Sequence, residues 1–278
     1  MANKQFNWKN ADNQEIFAQY WTPEEEPKAV IAMVHGMGEH SQRYEGWAKR
    51  FNKEGFAFTA IDHIGHGKTD GKRGHVKDYE TLLATADKLI EKTAALFPDK
   101  PIFLYGHSMG GGVVLNYAIQ NSSANIKGVI ASSPWLKLAF DPPAIQVALG
   151  NLVKNILPSL TQSTKLDVNA ISRDSEEVKK YSNDPLVHDR ISTMFFTEAY
   201  QAGLDAIQHA DKIKHPVLLF HGTSDQLTSY KASEELSKKV KAPIKFELFE
   251  GAYHEIHNDL DRDKLFQLIL DWLNNHLS

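Results

Sequence analysis

Six apolar runs, each long enough for one β-strand, recur along this chain of 278 residues. Segments with helical periodicity lie between them, for example at 81–97, 233–240 and 264–273. Continuous apolar runs are typical of strands that helices cover on both faces, as in a parallel sheet. The alternation therefore predicts an α/β fold with a mostly parallel, doubly covered sheet, which binds ligands beyond the carboxyl ends of its strands. The predicted strands are 29–34, 56–61, 102–105, 128–131, 216–220 and 244–249.

The segment 135–208 interrupts this alternation with successive helical patterns and several prolines. We expect an inserted helical cap here, on a core made of residues 1–134 and 209–278. Within the segment, residues 142–160 contain a single charge, and the polar residues form one narrow stripe along a helix, so the apolar arc is wide. Two compatible interpretations stay open: a well-buried cap helix, or a lid that presents apolar surface to a lipid interface and shapes an acyl pocket. The arc includes Ile145, Leu149 and Leu152.

The residues Gly106-His107-Ser108-Met109-Gly110 stand between a predicted strand and a helical pattern at 113–118. This is the G-x-S-x-G pattern in the context that gives it a mechanism, a strand that turns sharply into a helix. The two glycines allow the strand and the helix to approach closely, and the turn strains the backbone of the serine. Ser108 would stand at the tip of the turn, where the free N–H groups of the helix suit developing negative charge. We predict that Ser108 is a catalytic nucleophile.

A serine hydroxyl needs a positioned base, and a histidine held by a carboxylate through its other ring nitrogen supplies one. In a sheet of this type the acid follows the serine along the chain, and the histidine follows the acid. Asp225 and His254 each follow a later predicted strand in this order, so we predict a triad of Ser108, Asp225 and His254. His257 is the nearest alternative base. Asp141 is the alternative acid, although the prolines after it favour a helix N-cap.

The tetrahedral intermediate of such a reaction needs donors for its oxyanion. The backbone N–H of the residue after the nucleophile, Met109, is one candidate. The second should come from the loop His35-Gly36-Met37-Gly38 after the first predicted strand, and we assign the N–H of Met37 to it. A tight strand-to-helix loop without any catalytic role would need the same glycines. The structural and the functional interpretation of this loop therefore predict the same backbone geometry.

Other kinds of site have little support in the sequence. The formal charge of −4 and the lack of a basic cluster argue against nucleic acid as a partner. The chain has no cysteine, so thiol chemistry and cysteine-ligated metals are excluded. Asp62, His63 and His66 share a glycine-rich turn, but no distant ligand set completes a metal site with them. No phosphate-binding glycine motif follows a strand, and we expect no cofactor.

The sequence also shows no pattern typical of a signal peptide or a membrane span. The first residues carry no apolar segment of the kind found in signal peptides, and no stretch reaches the length of about 18 apolar residues that a membrane span needs. We expect a soluble, cytoplasmic protein, with peripheral membrane contact through the cap as a further hypothesis.

Three motifs together resemble the monoacylglycerol lipase and lysophospholipase branch of the α/β-hydrolases. They are His-Gly-Met-Gly-Glu-His at 35–40 with Arg43-Tyr44, Asp-His-Ile-Gly-His-Gly at 62–67, and the serine motif at 106–110. The segments 172–186 and 251–257 also resemble the cap of monoacylglycerol lipases and the surroundings of their catalytic histidine. The similarity covers roughly residues 10–277. It implies an α/β-hydrolase fold and cofactor-free cleavage of a monoester of glycerol and a fatty acid through an acyl-enzyme.

The same resemblance implies which residues line the polar pocket for glycerol. Arg43, Tyr181 and His257 match the family's pocket, with Glu39 nearby. A few fixed donors and acceptors suit a glycerol head, whereas an acyl chain needs an apolar tunnel. For Arg43 and Glu39 a structural ion pair is an equal alternative, and Tyr181 has the alternative role of anchoring the cap. The chain departs from mammalian members at Thr228, where one of their cysteines is expected, so thiol-directed inhibition should not carry over.

We therefore expect a serine esterase that acts on a small lipid, a monoacylglycerol. A lysophospholipase or a general carboxylesterase with the same triad is the main alternative. A non-catalytic ligand-binding protein on the same fold is a remote one, because the predicted triad is complete. The sequence does not reveal the preferred acyl-chain length, the preferred regioisomer or the oligomeric state.

Overall fold

The computed structural model describes residues 2–140, 153, 154 and 156–277. Within this part of the chain, eight strands form one sheet and two short strands form a separate pair. The strands are β1 (Ala2–Lys9), β2 (Glu15–Thr22), β3 (Ala29–Val34), β4 (Phe56–Ile61), β5 (Ile102–His107), β6 (Gly128–Ser132), β7 (Thr161–Ser163), β8 (Arg190–Ser192), β9 (Val217–Gly222) and β10 (Ile244–Phe249).

The large sheet has the strand order β1-β2-β4-β3-β5-β6-β9-β10. The strands from β4 to β10 in this order pair in parallel, and all of them were expected from the apolar runs. β1 and β2 form an antiparallel hairpin that joins the sheet through β4, and the sequence analysis did not predict it. The predicted α/β class with a mostly parallel sheet is confirmed.

Helices cover both faces of this sheet. The described α-helices are α1 (Glu45–Lys53), α2 (Tyr79–Leu96), α3 (Met109–Gln120), α4 (Ser175–Asn183), α5 (Thr193–Gln208), α6 (Tyr230–Ser237) and α7 (Arg262–Asn275). One buried apolar cluster joins the sheet to α2, α3, α5 and α6, and a second joins it to α1 and α7. The sheet is therefore apolar on both faces, which explains why its strands read as continuous apolar runs.

The predicted cap segment, 135–208, contains elements of two kinds. β7 and β8 pair with each other outside the main sheet, and α4 follows the loop after β7. α5, in contrast, contributes Phe195, Ala199, Ala202 and Ala206 to the same core cluster as α3. Asp141, Ile145, Leu149 and Leu152 lie outside the described residues. No helix in the described ranges is both long enough and apolar enough to cross a membrane.

Candidate active site

Ser108 occupies the turn between β5 and α3, with φ 53° and ψ −117°. A positive φ is a strained conformation for a residue with a side chain, and such strain is typical of functional sites. The flanking glycines make the turn possible, because a Cβ on Gly106 would overlap the carbonyl of Gly110, and one on Gly110 would overlap the carbonyl of Val34. The side chain of Ser108 is half-buried and lines a cavity beyond the strand ends.

Asp225 and His254 meet at the same edge of the sheet, in the loops after β9 and β10. The Nδ1 atom of His254 lies 2.7 Å from Oδ2 of Asp225, a short hydrogen bond between two buried side chains. The His254 ring also lines the cavity that Ser108 lines. The three predicted residues are therefore gathered at one site, although far apart along the chain.

The pKa values of this pair move in opposite directions. Burial alone would raise the pKa of Asp225, but His254 and the hydrogen bonds of His221 and His254 outweigh it and hold that pKa well below its usual range. Burial alone would lower the pKa of His254, but the Asp225 carboxylate outweighs it and raises that pKa above the ordinary histidine value. The lowered pKa keeps Asp225 ionised at neutral pH, and its bond to Nδ1 favours one tautomer of His254 and stabilises its protonated form.

No hydrogen bond joins the Ser108 hydroxyl to His254, although the structure describes both residues. Serine and base are commonly farther apart before a substrate binds. The alternative base, His257, is buried, stacks on the ring of Tyr44 with centroids 5.1 Å apart, and is absent from the described lining of the cavity. The geometry favours His254.

The two predicted oxyanion donors belong to residues just beyond the ends of β3 and β5: Met109 follows Ser108 in the chain, and Met37 lines the same cavity as Ser108. Met109 is the first residue of α3, so its N–H has no acceptor within the helix. Met37 lines the cavity, in the loop after β3. This loop is held in place by Glu39, whose Oε1 accepts hydrogen bonds from the Gly36 N–H at 2.7 Å and the Tyr44 hydroxyl at 2.8 Å.

Arg43 connects that loop to the loop of His254. Its guanidinium donates to Oε2 of Glu39 at 2.6 Å and makes a two-pronged ion pair with Glu255, at 2.8 and 2.7 Å. All three side chains are nearly inaccessible to water. Arg43 lies behind the described cavity lining, whereas Glu39 and Glu255 belong to it. This placement supports the structural ion pair that the sequence analysis held open for Arg43 and Glu39.

Tyr181, on α4, reaches the site from the predicted cap. Its ring covers the Arg43 guanidinium, 4.6 Å from the ring centroid, and the residue also lines the cavity. Both the anchoring role and the substrate-binding role fit this position. His257 lies near the same network, but both of its ring nitrogens are buried without a partner among the described residues.

The cavity has a volume of about 370 Å³, within the range of small-molecule sites. Carboxylates and a phenol line one part of it: Glu39, Glu255 and Tyr181. Large apolar side chains also face it, and they are Met37, Trp135, Leu138, Phe140, Leu166, Ile171, Ile191, Phe196 and Leu227. A site of this composition suits a ligand with one polar and one apolar part.

The glycine-rich turn at 62–67 is explained by hydrogen bonds within the protein. Asp62 accepts from the backbone N–H groups of Ser41, at 2.7 Å, and Lys68, at 2.8 Å. The N–H of His63 donates to Nε2 of His35 at 2.9 Å. Among the described residues no group of three or more His, Cys, Asp or Glu side chains is placed to hold a metal ion.

Three contacts at the site had no counterpart in the sequence analysis. Glu255 follows His254 directly and pairs with Arg43, and His221 and Thr228 both bond to the carboxylate of Asp225. The spacing of His221 and Asp225, four residues apart after a strand, was a usable signal. The pairing of Glu255 with Arg43 was not, because 212 positions separate them.

Comparisons with known proteins agree with this geometry. The family model described as serine aminopeptidase, S33 matches residues 25–261. A monoglyceride lipase of Homo sapiens is 32% identical over 271 residues, which cover 95% of this chain and 88% of that protein. An uncharacterised abhydrolase domain-containing protein of Dictyostelium discoideum is 34% identical over the whole chain, which spans only 30% of that longer relative.

Among solved structures, the crystal structure of a monoacylglycerol lipase from Paleococcus ferrophilus superposes with a TM-score of 0.85. It is 36% identical, and the match covers 99% of this chain and all of the other. The agreement therefore extends over sequence and fold together. The chain belongs to the serine aminopeptidase S33 family of serine hydrolases, in the monoacylglycerol lipase and lysophospholipase branch of the α/β-hydrolases.

Proposed function

We propose that this protein is a serine carboxylester hydrolase that cleaves monoacylglycerols to glycerol and free fatty acid. The observation that carries the proposal is the 2.7 Å hydrogen bond between His254 and Asp225, next to a cavity that His254 shares with Ser108 on its strained turn. The names of the relatives, monoglyceride and monoacylglycerol lipases, support the same substrate class.

In the first half of the reaction, Ser108 Oγ attacks the ester carbonyl while Nε2 of His254 takes its proton. The negative charge moves to the carbonyl oxygen, and the N–H groups of Met37 and Met109 donate hydrogen bonds to the resulting oxyanion. Asp225 stabilises the imidazolium formed at His254. When the tetrahedral intermediate collapses, the bond to glycerol breaks, His254 returns the proton to the glycerol oxygen, and the acyl group stays on Ser108.

In the second half, water replaces glycerol. His254 removes a proton from the water as it attacks the acyl carbonyl, and the same two N–H groups stabilise the second oxyanion. Collapse breaks the bond to Ser108 Oγ, which recovers its proton from His254. The fatty acid leaves, and no cofactor is consumed.

The substrate class follows from the cavity. An acyl chain would lie against the apolar lining, where burial stabilises it by roughly 0.8 kcal/mol for each CH₂ group. The glycerol hydroxyls would face Glu39, Glu255 and Tyr181, which offer acceptors and one donor. Ile145, Leu149 and Leu152 stay candidate contacts for the acyl chain, on sequence grounds alone.

Replacing Ser108 by Ala tests the mechanism. The variant should hydrolyse a long-chain monoacylglycerol several orders of magnitude more slowly than the wild type, with a loss on the order of 10⁶-fold, because the nucleophile is gone. Its thermal unfolding should stay cooperative, and a fluorophosphonate probe should label the wild type but not the variant. Near-normal turnover, or a wild type that the probe does not label, would contradict the proposal, and the second result would favour a non-catalytic binder.

Parallel rates on three esters test the substrate. We expect faster cleavage of a monoacylglycerol than of lysophosphatidylcholine, because the carboxylates of Glu39 and Glu255 in the cavity lining would accept hydrogen bonds from glycerol hydroxyls but repel a phosphate group. A short-chain nitrophenyl ester measures intrinsic esterase activity. Equal or better cleavage of the lysophospholipid would replace the proposed function by that of a lysophospholipase, and preference for the short ester by that of a general carboxylesterase.

We further propose the division into a core, 1–134 and 209–278, and a cap, 135–208, whose edge contacts lipid surfaces. Large apolar side chains are exposed near this edge: Phe140, Ile156, Leu157 and Leu160. Such exposure is typical of a site that contacts a partner or a lipid interface. Cytoplasmic localisation stays a prediction from the sequence.

A further inference from the structure

One oxygen of Asp225 is shared by two histidines. Oδ2 lies 2.7 Å from Nδ1 of His254 and 3.0 Å from Nε2 of His221, and it also accepts from the Thr228 hydroxyl at 2.9 Å. The other oxygen accepts from the N–H groups of Leu227, at 2.8 Å, and Thr228, at 3.0 Å. Five donors therefore surround one buried carboxylate, which is about as many as it has acceptor sites.

The hydrogen bonds define the tautomer of His221. Its Nε2 faces two acceptors, Oδ2 of Asp225 and the carbonyl of Thr228 at 3.2 Å, so Nε2 carries the hydrogen. In the neutral ring Nδ1 is then an acceptor, and the Ser233 hydroxyl, 2.8 Å away, donates to it. Ser233 and His221 are both fully buried. Ser233 thus holds His221 in the tautomer that donates to Asp225.

The fold brings His221 to Asp225 but keeps it away from the substrate. β9 ends at Gly222, and the chain folds back so that residues 221 and 225 face each other. A Cβ on Gly222 would overlap the carbonyl of Ala252, so the loop before His254 packs directly on this turn. Among the described residues, those that line the cavity do not include His221.

We propose that His221 is a positioning residue for the catalytic pair: its Nε2–H orients the Asp225 carboxylate and shares the negative charge that would otherwise be directed at His254. This role rests on the proposed function, in which His254 is the general base. It predicts the direction in which the pKa of His254 changes when His221 is replaced. Without this donor, the carboxylate would attract the imidazolium of His254 more strongly, so the pKa of His254 would rise while the orientation of Asp225 became looser.

Other charged and titratable groups near His254 stay in place when His221 is replaced. The ring of His107, on β5, lies 4.8 Å from that of His254, and burial holds the pKa of His107 well below the ordinary value. The remaining groups belong to the loops after β3 and β10, and they are Glu39, Arg43, Glu255 and His257. A change in the behaviour of His254 is then attributable to the contact with Asp225.

The test compares the wild type with His221→Phe, which keeps a buried ring of similar size but has no donor. The pKa of His254 is measured by NMR titration of its ring protons, assigned through their loss in His254→Ala. The acid limb of kcat/KM is measured on a nitrophenyl ester. In His221→Phe we expect the pKa of His254 measured by NMR and the pKa of the acid limb of kcat/KM each to rise by about half a pH unit or more. We expect kcat to fall roughly tenfold, which is the scale of one lost hydrogen bond.

His215→Phe is the matched control. His215 is a buried histidine just before β9, at the opposite end of the strand, and its Nε2 bonds to the Ala124 carbonyl at 3.1 Å. Its replacement should leave the His254 titration and the acid limb unchanged. Ser233→Ala is a smaller change. It removes the hydroxyl that holds His221 in the tautomer donating to Asp225, so it should shift the pKa of His254 in the same direction as His221→Phe. If His221→Phe does not fold, Ser233→Ala replaces it in the test.

An unchanged His254 titration in folded His221→Phe, or in Ser233→Ala if the former is unfolded, would overturn the proposal and leave His221 with a packing role. The NMR measurement requires no turnover. A wild type that hydrolyses none of the esters would therefore refute the proposed function, while a shifted His254 titration would still establish the coupling of His221 to His254.

Discussion

At the scale of single residues, the site depends on keeping one carboxylate charged where little water reaches it. Asp225 is only 7% exposed, and an isolated buried anion would take up a proton. The position of Asp225 in the chain, after a strand and before a histidine, was enough to predict it as the acid of the triad. The hydrogen-bond donors of His221 and Thr228 were identified only in the folded chain, because the sequence spacing of His221 and Asp225 does not by itself show which groups bond to the carboxylate.

The pH dependence of kcat/KM belongs to this scale. His254 must be neutral to accept the proton of Ser108, and its pKa is raised by Asp225. Activity should therefore fall on acidification, about tenfold for each pH unit, from a midpoint above the ordinary histidine pKa of about 6.5. Rates on a water-soluble ester between pH 5 and 9 check this, with protein stability at each pH as the control. A midpoint clearly below the ordinary value would contradict the assignment of His254.

At the scale of elements, Arg43 links two loops that contribute different groups to the proposed site. The loop after β3 carries Met37, the proposed oxyanion donor, and the loop after β10 carries His254, the proposed base. Glu39 and Glu255, one from each loop, meet on the guanidinium. The sequence analysis predicted the two loops from their strands and held open the ion pair of Arg43 with Glu39. It did not predict the pairing with Glu255, because the pairing of distant charges depends on the order of strands in the sheet.

Arg43→Met should be strongly destabilising. It leaves two buried carboxylates without their cation, and breaking a buried pair costs about 3–5 kcal/mol of unfolding free energy. Urea denaturation of the variant measures this cost. Lys88→Met is the matched control, since its ion pair with Glu91 is exposed, and its midpoint should stay close to that of the wild type. An Arg43→Met protein as stable as this control would show that the network contributes little to the fold.

At the scale of the whole molecule, the proposed catalytic residues and exposed apolar residues are arranged around the carboxyl ends of the strands. Ser108, Asp225 and His254 follow β5, β9 and β10, and Phe140, which lines the cavity, is 60% exposed. A lipid substrate would then reach the serine without crossing bulk water. This arrangement motivates the proposal that the cap edge contacts a lipid surface.

Co-sedimentation with phosphatidylcholine vesicles tests that contact. Ile156 and Leu160 are 69% and 51% exposed, and replacing both by Asp should reduce the bound fraction several-fold, because charges resist transfer into the interface. Leu96→Asp is the control. Leu96 is 37% exposed at the end of α2, away from the cavity, and its replacement should change nothing. Equal sedimentation of the double variant and the wild type would refute lipid contact through this edge.

Local patterns by themselves determined the parallel strands, the serine turn and the chain order of the three residues in the proposed triad. Continuous apolar runs identify strands covered on both faces, and a strained turn needs glycines at fixed spacing, so both leave marks in neighbouring residues. The hairpin of β1 and β2 was missed because most residues of its edge strand are exposed and polar, which leaves no continuous run. Only the tertiary structure decided how Asp225, Arg43 and Glu255 are paired. Those contacts join residues from different loops, and their energies depend on burial, which no local pattern encodes.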